Sequence, residues 1–197
     1  PNTDFNGSDS FTFSVSDGEY SASASVDVDV TAVNDAPVLA LVSDVSFDED
    51  QGGSTNLSGS DVDGDQLTFS ITEGTDIVAS LNVNDVSFSA PLNFNGSESF
   101  TVSVTDGEYT DSQAITVTVS AVNDAPIASE GLSALTTEDQ SVVISLSGSD
   151  IDGDNLTFSL GDDATSGSVS IDGSLATYMP NTDFNGSDSF TFSVSDG

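Results

Sequence analysis

Five residue types are missing from this chain: lysine, arginine, histidine, cysteine and tryptophan. Without a cationic side chain it cannot neutralise phosphates, which excludes nucleic-acid binding and a polybasic membrane anchor. Phosphate-cradling loops lose their Lys as well. With neither His nor Cys there is no Ser-His-Asp or Cys-His nucleophile, no thiol redox centre and no His/Cys zinc or haem site. Long apolar runs are also missing, so membrane insertion is not expected. Neither a signal peptide nor an initiator Met is present, and the chain is expected to be soluble and an internal piece of a longer one. Carboxylate chemistry remains: a glycosidase-like acid pair, or the binding of hard cations through oxygen.

The 197 residues carry 34 acidic side chains and a formal charge of −34. Such a charge often accompanies disorder. Here Leu, Ile, Val and Phe supply roughly 26% of the residues, above the ~20% below which disorder is expected. The apolar residues are mostly β-branched or aromatic, Ser and Thr are abundant, and Gly, Asn and Asp recur every eight to twelve residues or so. No amphipathic helix pattern stands out. The fold class is therefore all-β, built from Greek-key sandwiches.

Repetition organises the sequence. The segment PNTDFNGSDSFTFSVSDG occupies Pro1 to Gly18 and recurs unchanged at Pro180 to Gly197, with a variant from Pro91 to Gly107. VNDAP appears at Val33 and Val122, Glu-Asp at Glu49 and Glu138, and DxDGD at Asp61 and Asp150, each pair offset by 89 residues. That period suits one small sandwich domain. With VNDAP as boundary, residues 1–35 are the final two strands of one domain, 36–124 a complete domain and 125–197 a domain lacking its last strand. In the complete domain, strands are expected at Val38–Phe47, Ser54–Ser60, Leu67–Thr72, Leu81–Ala90, Ser99–Thr105 and Gln113–Val122, with a short seventh near Ile77. The exposed edge left by the absent strand implies either an excerpt of a longer array or a strand supplied by another chain.

Acids recur in phase at Asp17 and Asp106, Glu19 and Glu108, Asp35 and Asp124, Glu49 and Glu138, Asp50 and Asp139, and throughout DxDGD, while acids along the strands differ between copies. Asp61-Val62-Asp63-Gly64-Asp65 places three carboxylates at alternate positions around a Gly-assisted bend. Calcium takes six to eight oxygens at about 2.3–2.6 Å, and this loop can contribute several of them. An EF-hand does not fit, because Gln66 stands where the loop glycine belongs and Thr72 where the bidentate Glu belongs. Asp-Gly is also an ordinary hairpin-turn signal. In VNDAP, Pro37 and Pro126 make the segment a hinge, with Asn34-Asp35 and Asn123-Asp124 offering oxygens beside it. The N-x-Ser/Thr matches at Asn6, Asn56, Asn95, Asn155 and Asn185 are read as chance in an Asn- and Ser-rich chain.

DFNGSDSFTFSVSDG, VNDAPV, the DED or TED before the second strand, and SGSDVDGDQLTFS together resemble the tandem cadherin-like, Ig-like β-sandwich repeats of large bacterial RTX-type surface adhesins. The resemblance covers nearly the whole chain. It implies calcium held between successive domains by an acid at the start of one domain, the linker, the DxD loop, and acids of the preceding domain's penultimate strand. Carried over by position, Glu49, Asp61, Asp63 and Asp65 would bind with Asn34 and Asp35 and with Asp4 or Asp17. The next set would be Glu138, Asp150, Asp152, Asp154, Asn123 and Asp124, with Asn93 or Asp106. Ala32 and Ala121 stand near where a fuller cadherin linker carries another Asp, and Asn93 replaces Asp4, which implies fewer or weaker ions.

The functional expectation is a non-enzymatic structural extender: repeats in an extracellular adhesin or fibre, in cell adhesion or biofilm, that calcium stiffens to project a binding domain. Expected partners are neighbouring repeats of the same chain and other copies by strand exchange in a filament. The alternative is a carbohydrate-binding accessory module of a secreted polysaccharide-degrading enzyme, against which stand the absence of Trp and the presence of only three Tyr. A halophile-type solvated surface would instead scatter its acids over exposed strands.

Overall fold

The computed structural model describes residues 1–197, which form strands, turns and loops and no helix. They divide into two compact units, Pro1–Ala121 and Val122–Gly197.

The first unit begins with a hairpin, β1 (Gly7–Ser16) and β2 (Ser21–Val30), paired antiparallel from Gly7↔Val30 to Ser16↔Ser21. Its Phe and Val side chains are largely exposed, because no third strand pairs with it. A sandwich follows: β3 (Val38–Leu39), β4 (Val45–Asp48), β5 (Gly52–Asn56), β6 (Gly59–Ser60), β7 (Thr68–Ile71), β8 (Val78–Asn82), β9 (Asp85–Ser89), β10 (Gly96–Thr105) and β11 (Thr110–Ser120). One sheet has the order β4-β11-β10-β7 and the other β5-β9-β8, with β3 and β6 as a short separate pair.

Period-2 alternation turns one face of each long strand inward. Phe100, Val102 and Val104 of β10 and Ile115, Val117 and Val119 of β11 are buried against Val86 and Phe88 of β9. Phe88 and Phe100 meet edge to face with ring centroids 5.4 Å apart, joining the two sheets. Each fully buried Val, Ile or Phe contributes about 1.5–3 kcal/mol relative to exposure.

Three expected strands are not single strands. Ser54–Ser60 divides between β5, which pairs with β9, and β6, which pairs with β3. Val38–Phe47 is split, because the chain leaves β6 and crosses to β11 through residues 40–44. Polar side chains hold that crossing: the Leu39 N–H donates to Asp111, the Val42 N–H to Gln113, and the Thr116 N–H to Asp44. Leu81–Ala90 is a hairpin, β8 to β9, that turns at Val83 with φ 59°.

The second unit repeats the plan with β12 (Ile127–Ala128), β13 (Val142–Ser145), β14 (Gly148–Ser149), β15 (Thr157–Leu160), β16 (Gly167–Asp172), β17 (Leu175–Pro180) and β18 (Phe192–Ser195). β13-β17-β16 form one sheet and β15-β18 a pair, while β12 pairs with β14. Leu146 and Ala176 are buried, whereas Phe158, Leu160, Phe192 and Val194 stay partly open. No strand occupies the place that β11 takes in the first unit, and those residues lack its cover. The architecture is tandem, all-β and sandwich-like, as expected.

Candidate metal centre

Asp61 organises its own loop. Its Oδ1 accepts the backbone N–H groups of Asp63 (2.9 Å), Gly64 (3.0 Å) and Asp65 (3.2 Å), an Asx-type turn closed by Gly64 at φ +81°. The turn gathers the carboxylates of Asp61, Asp63 and Asp65 so that one oxygen of each lies within 4.8 Å of the others. Asp61 Oδ2 is buried without a hydrogen-bond partner. An orphaned carboxylate oxygen in a cluster of like charges is costly unless a cation completes it.

The linker docks on this loop. The Asp35 N–H donates to Asp63 Oδ2 at 2.8 Å, and Asn34 Nδ2 donates to Asp106 Oδ2 at 2.9 Å. Asp106 heads the β10–β11 turn, where its Oδ1 accepts the Glu108 and Tyr109 N–H groups at 2.7 Å. The Tyr109 N–H above all, with the Glu108 N–H and the Asn34 amide, holds the Asp106 carboxyl below its ordinary value against the opposing effect of desolvation.

The second unit builds the same arrangement. Asp150 Oδ1 accepts from Asp152 (2.9 Å) and Asp154 (3.3 Å), the Asp124 N–H donates to Asp152 Oδ2 at 2.8 Å, and Asn123 Nδ2 donates to Asp196 Oδ2 at 2.6 Å. The carboxylates of Asp150, Asp152 and Asp154 gather likewise, and Asp150 Oδ2 is again buried without a partner. Two copies that diverge along their strands keep one geometry here.

The remaining sequence-predicted residues are grouped differently by the fold. Glu49 is buried, 4% exposed, and its N–H donates to Ser120 O at 2.9 Å, past the finishing end of β11. Asp106 lies before the starting end of β11, whose eleven residues span about 35 Å. Glu49 is thus separated from the Asp61 loop of its own domain by nearly the length of the sandwich. It shares its end with Asp50 and Asn93, whose N–H donates to Asp50 Oδ1 at 2.9 Å. Glu138 adjoins Asp139, which accepts the Asp183 N–H at 3.1 Å, so the second unit has the same local pairing.

Register places the expected alternatives, Asp4 and Asp17 in one hairpin and Asn93 and Asp106 in the other, at opposite ends. Gly7 pairs with Val30, which places Asp4 on the side where β2 runs out to the linker, whereas Asp17 caps the opposite turn and accepts the Glu19 and Tyr20 N–H groups. Those bonds, Tyr20 first, lower the Asp17 carboxyl. Gly96 likewise pairs with Val119, which puts Asn93 at the finishing end of β11 and Asp106 at the other, beside Asn34. Asp106 therefore lies beside the linker that docks on the Asp61 loop of its own domain. Asp196, at the matching place in SDG, was not among the expected residues, although the exact repeat of Pro1–Gly18 at Pro180–Gly197 makes it the counterpart of Asp17.

The oxygen-only donor set, three clustered carboxylates and an orphaned buried oxygen fit a hard divalent cation.

None of the curated proteins matches the chain in sequence. Among solved structures it is similar to PcdhgB3 EC1-4 (14% identity, covering 96% of this chain and 53% of that one, TM-score 0.58). It is also similar to human Protocadherin-24 EC1-2, Form II (17% identity, covering 82% and 95%, TM-score 0.53). At these identities the likeness is one of fold. A match to the endo-fucoidan hydrolase MfFcnA4 of glycoside hydrolase family 107 covers 98% of this chain but 32% of that one, with 20% identity and a TM-score of 0.36, too remote to carry an argument. The chain is a tandem of β-sandwich domains in which residues 34–121 match the family model for the bacterial cadherin-like domain and residues 123–197 that for the bacterial Ig domain.

Proposed function

We propose that these domains are calcium-stiffened extender repeats of a bacterial cell-surface adhesin or extracellular fibre, with no catalytic role. The family matches support an extracellular structural or adhesion-type module. One observation carries the metal reading: in both units the linker Asp donates its N–H to the middle carboxylate of DxDGD, while the leading Asp keeps a buried oxygen with no hydrogen bond.

Asp61, Asp63, Asp65, Asn34 and Asp106 would hold the ion in the first unit, and Asp150, Asp152, Asp154, Asn123 and Asp196 in the second. Bound calcium supplies positive charge and oxygen coordination. The chain's own residues do the rest. Asp61 Oδ1 fixes the loop through three N–H groups and leaves Oδ2 for the metal. Asp63 and Asp106 bind both the linker and the loop end, so ordering the carboxylates also orders Asn34 and Asp35. A linker pinned to the domain it leads into can no longer swivel freely, and the array stiffens.

Binding to the folded form alone stabilises it by about 2.7 kcal/mol at a hundredfold excess over Kd. For a domain of this size that raises the melting temperature by about 10 °C or more. The test is calorimetric melting and small-angle scattering of the chain with calcium and with chelator. Calcium should raise the melting temperature and narrow the range of solution dimensions; if chelation changes neither, the reading fails.

A further inference from the structure

Asn-Gly recurs once in each copy of the repeated segment, at Asn6-Gly7, Asn95-Gly96 and Asn185-Gly186. In the complete domain, residues 36–124, Asn95 is exposed and its side chain makes no hydrogen bond. Gly96 is the first residue of β10 and pairs with Val119 at the end of the ladder. The fold holds a glycine at this place: its φ is +157°, and a Cβ would lie 3.1 Å from the Phe94 ring. On either side the chain is anchored. The Asn93 N–H donates to Asp50 Oδ1 at 2.9 Å, and the Glu98 carboxylate accepts the Thr75 and Asp76 N–H groups at 2.9 and 2.8 Å, beside the wholly buried Ile77.

We propose that Asn95-Gly96 is a self-modifying site, at which the chain hydrolyses its own Asn95 amide and, in a fraction of molecules, lengthens its backbone at the start of β10. Water is the one co-reactant. The Gly96 nitrogen gives its proton to solvent and attacks Cγ of Asn95; a C–N bond forms, the Cγ–Nδ2 bond breaks, and ammonia leaves with a proton from solvent. Water then opens the five-membered imide. Attack at Cγ leaves aspartate. Attack at the main-chain carbonyl leaves isoaspartate, in which the backbone runs through Cβ and Cγ and gains a methylene.

Its neighbours select Asn95. Glycine has no side chain to shield its own nitrogen. Asn56, Asn82, Asn84 and Asn93 instead precede Leu57, Val83, Asp85 and Phe94. Asn56 and Asn84 are further held by hydrogen bonds to Asp85 Oδ1 and the Leu57 carbonyl. Freeing the Gly96 nitrogen requires opening the terminal pair of β10 alone, which costs far less than unfolding. The two products differ in consequence. Both add a negative charge, but isoaspartate also adds chain length between the Asn93 and Glu98 anchors, so the Glu98 carboxylate is displaced from Thr75 and Asp76. None of the carboxylates assigned to calcium takes part, and the inference is independent of that reading.

The test incubates the full chain in chelator at pH 7 and pH 9, beside its Asn95→Gln and Asn95→Asp forms and a synthetic peptide Leu92–Ser99. Peptide mapping by mass spectrometry should show a gain of about 1 Da at Asn95, faster at pH 9, with Asn82 and Asn93 unchanged and no gain at that position in the Asn95→Gln form. Part of the product should accept a methyl group from an isoaspartyl methyltransferase. In the purified isoaspartyl chain, amide exchange at Asp76 and Ile77 should be at least about tenfold faster than in the Asn95→Asp form. An Asn95 amide that survives in the folded chain while the peptide converts completely overturns the site. Equal exchange in the isoaspartyl and Asn95→Asp chains overturns the displacement of Glu98.

Discussion

Asn34 donates its side-chain amide to Asp106 Oδ2 across 2.9 Å, a bond between residues 72 positions apart that ties the linker to the β10–β11 turn. Asn123 and Asp196 repeat it in the second unit. This bond couples the linker to the candidate site, because whatever fixes Asp106 also fixes Asn34. Asn34→Ala leaves the Asp61 turn intact but unties the linker. Its expected effect, read by calorimetric titration, is a roughly tenfold loss of calcium affinity in the first unit only. Faster amide exchange at Asp35 should accompany it in chelator.

Val83 takes φ 59° at the β8–β9 turn, and the turn between β16 and β17 places Gly173 at φ 57°. A β-branched residue in the left-handed region costs of order 1–2 kcal/mol. Val83 is also 81% exposed, so its side chain contributes little packing. Val83→Gly is expected to stabilise the first unit by about 1 kcal/mol, after allowing for the entropy that glycine adds to the unfolded chain. Chemical denaturation with an unchanged slope would show it.

Much of this structure is legible in the sequence, for identifiable reasons. β10 and β11 alternate apolar with Ser or Thr, and the in-phase DxDGD and VNDAP segments mark the metal loop and the linker that docks on it. The β8–β9 hairpin is hidden because Asn82-Val83-Asn84 carries valine where the turn needs positive φ, so the run reads as one strand. Glu49 is misgrouped for a topological reason. It lies twelve positions before Asp61 in sequence, yet β4 runs parallel to β11 and delivers Glu49 to that strand's finishing end. Spacing along the chain carries no information about which end of a sandwich a residue reaches.

That separation is testable. A change at Glu49 should not reach the Asp61 loop, since about 35 Å of β11 lies between them and screening extinguishes such effects within a Debye length near 10 Å. Glu49→Gln is expected to leave calcium affinity at the Asp61 loop within about twofold. Asp63→Asn removes a clustered carboxylate and should lower that affinity by at least about tenfold. Equal losses from the two variants would put Glu49 back with the loop.

Acid should act on Asp106 in a definite direction. Its folded carboxyl lies below the ordinary 3.8, so the stability it contributes is fully present above that value and is lost as pH falls through the lower folded one. Comparing the chain with its Asp106→Asn form in chelator isolates this group from the other acids. The stability difference between them should be constant from neutral pH to about 5 and shrink below about 4. A difference that changed between pH 7 and 5 would assign the titration to another group.

Salt offers a cleaner reading of the charge than acid does. In most proteins added salt screens attractive and repulsive pairs together, and the two effects partly cancel. Here no lysine, arginine or histidine exists to form an attractive pair, so among side chains screening acts on repulsion alone. In chelator, the melting temperature of both units should therefore rise steadily as sodium chloride goes from about 10 mM, where the Debye length is near 30 Å, to about 1 M, where it is near 3 Å. Calcium at millimolar concentration should exceed that effect at an ionic strength too low to screen, because the clustered carboxylates of Asp61, Asp63 and Asp65 bind it at one point. Sodium and calcium acting equally at matched ionic strength would reduce both carboxylate clusters to ordinary surface charge.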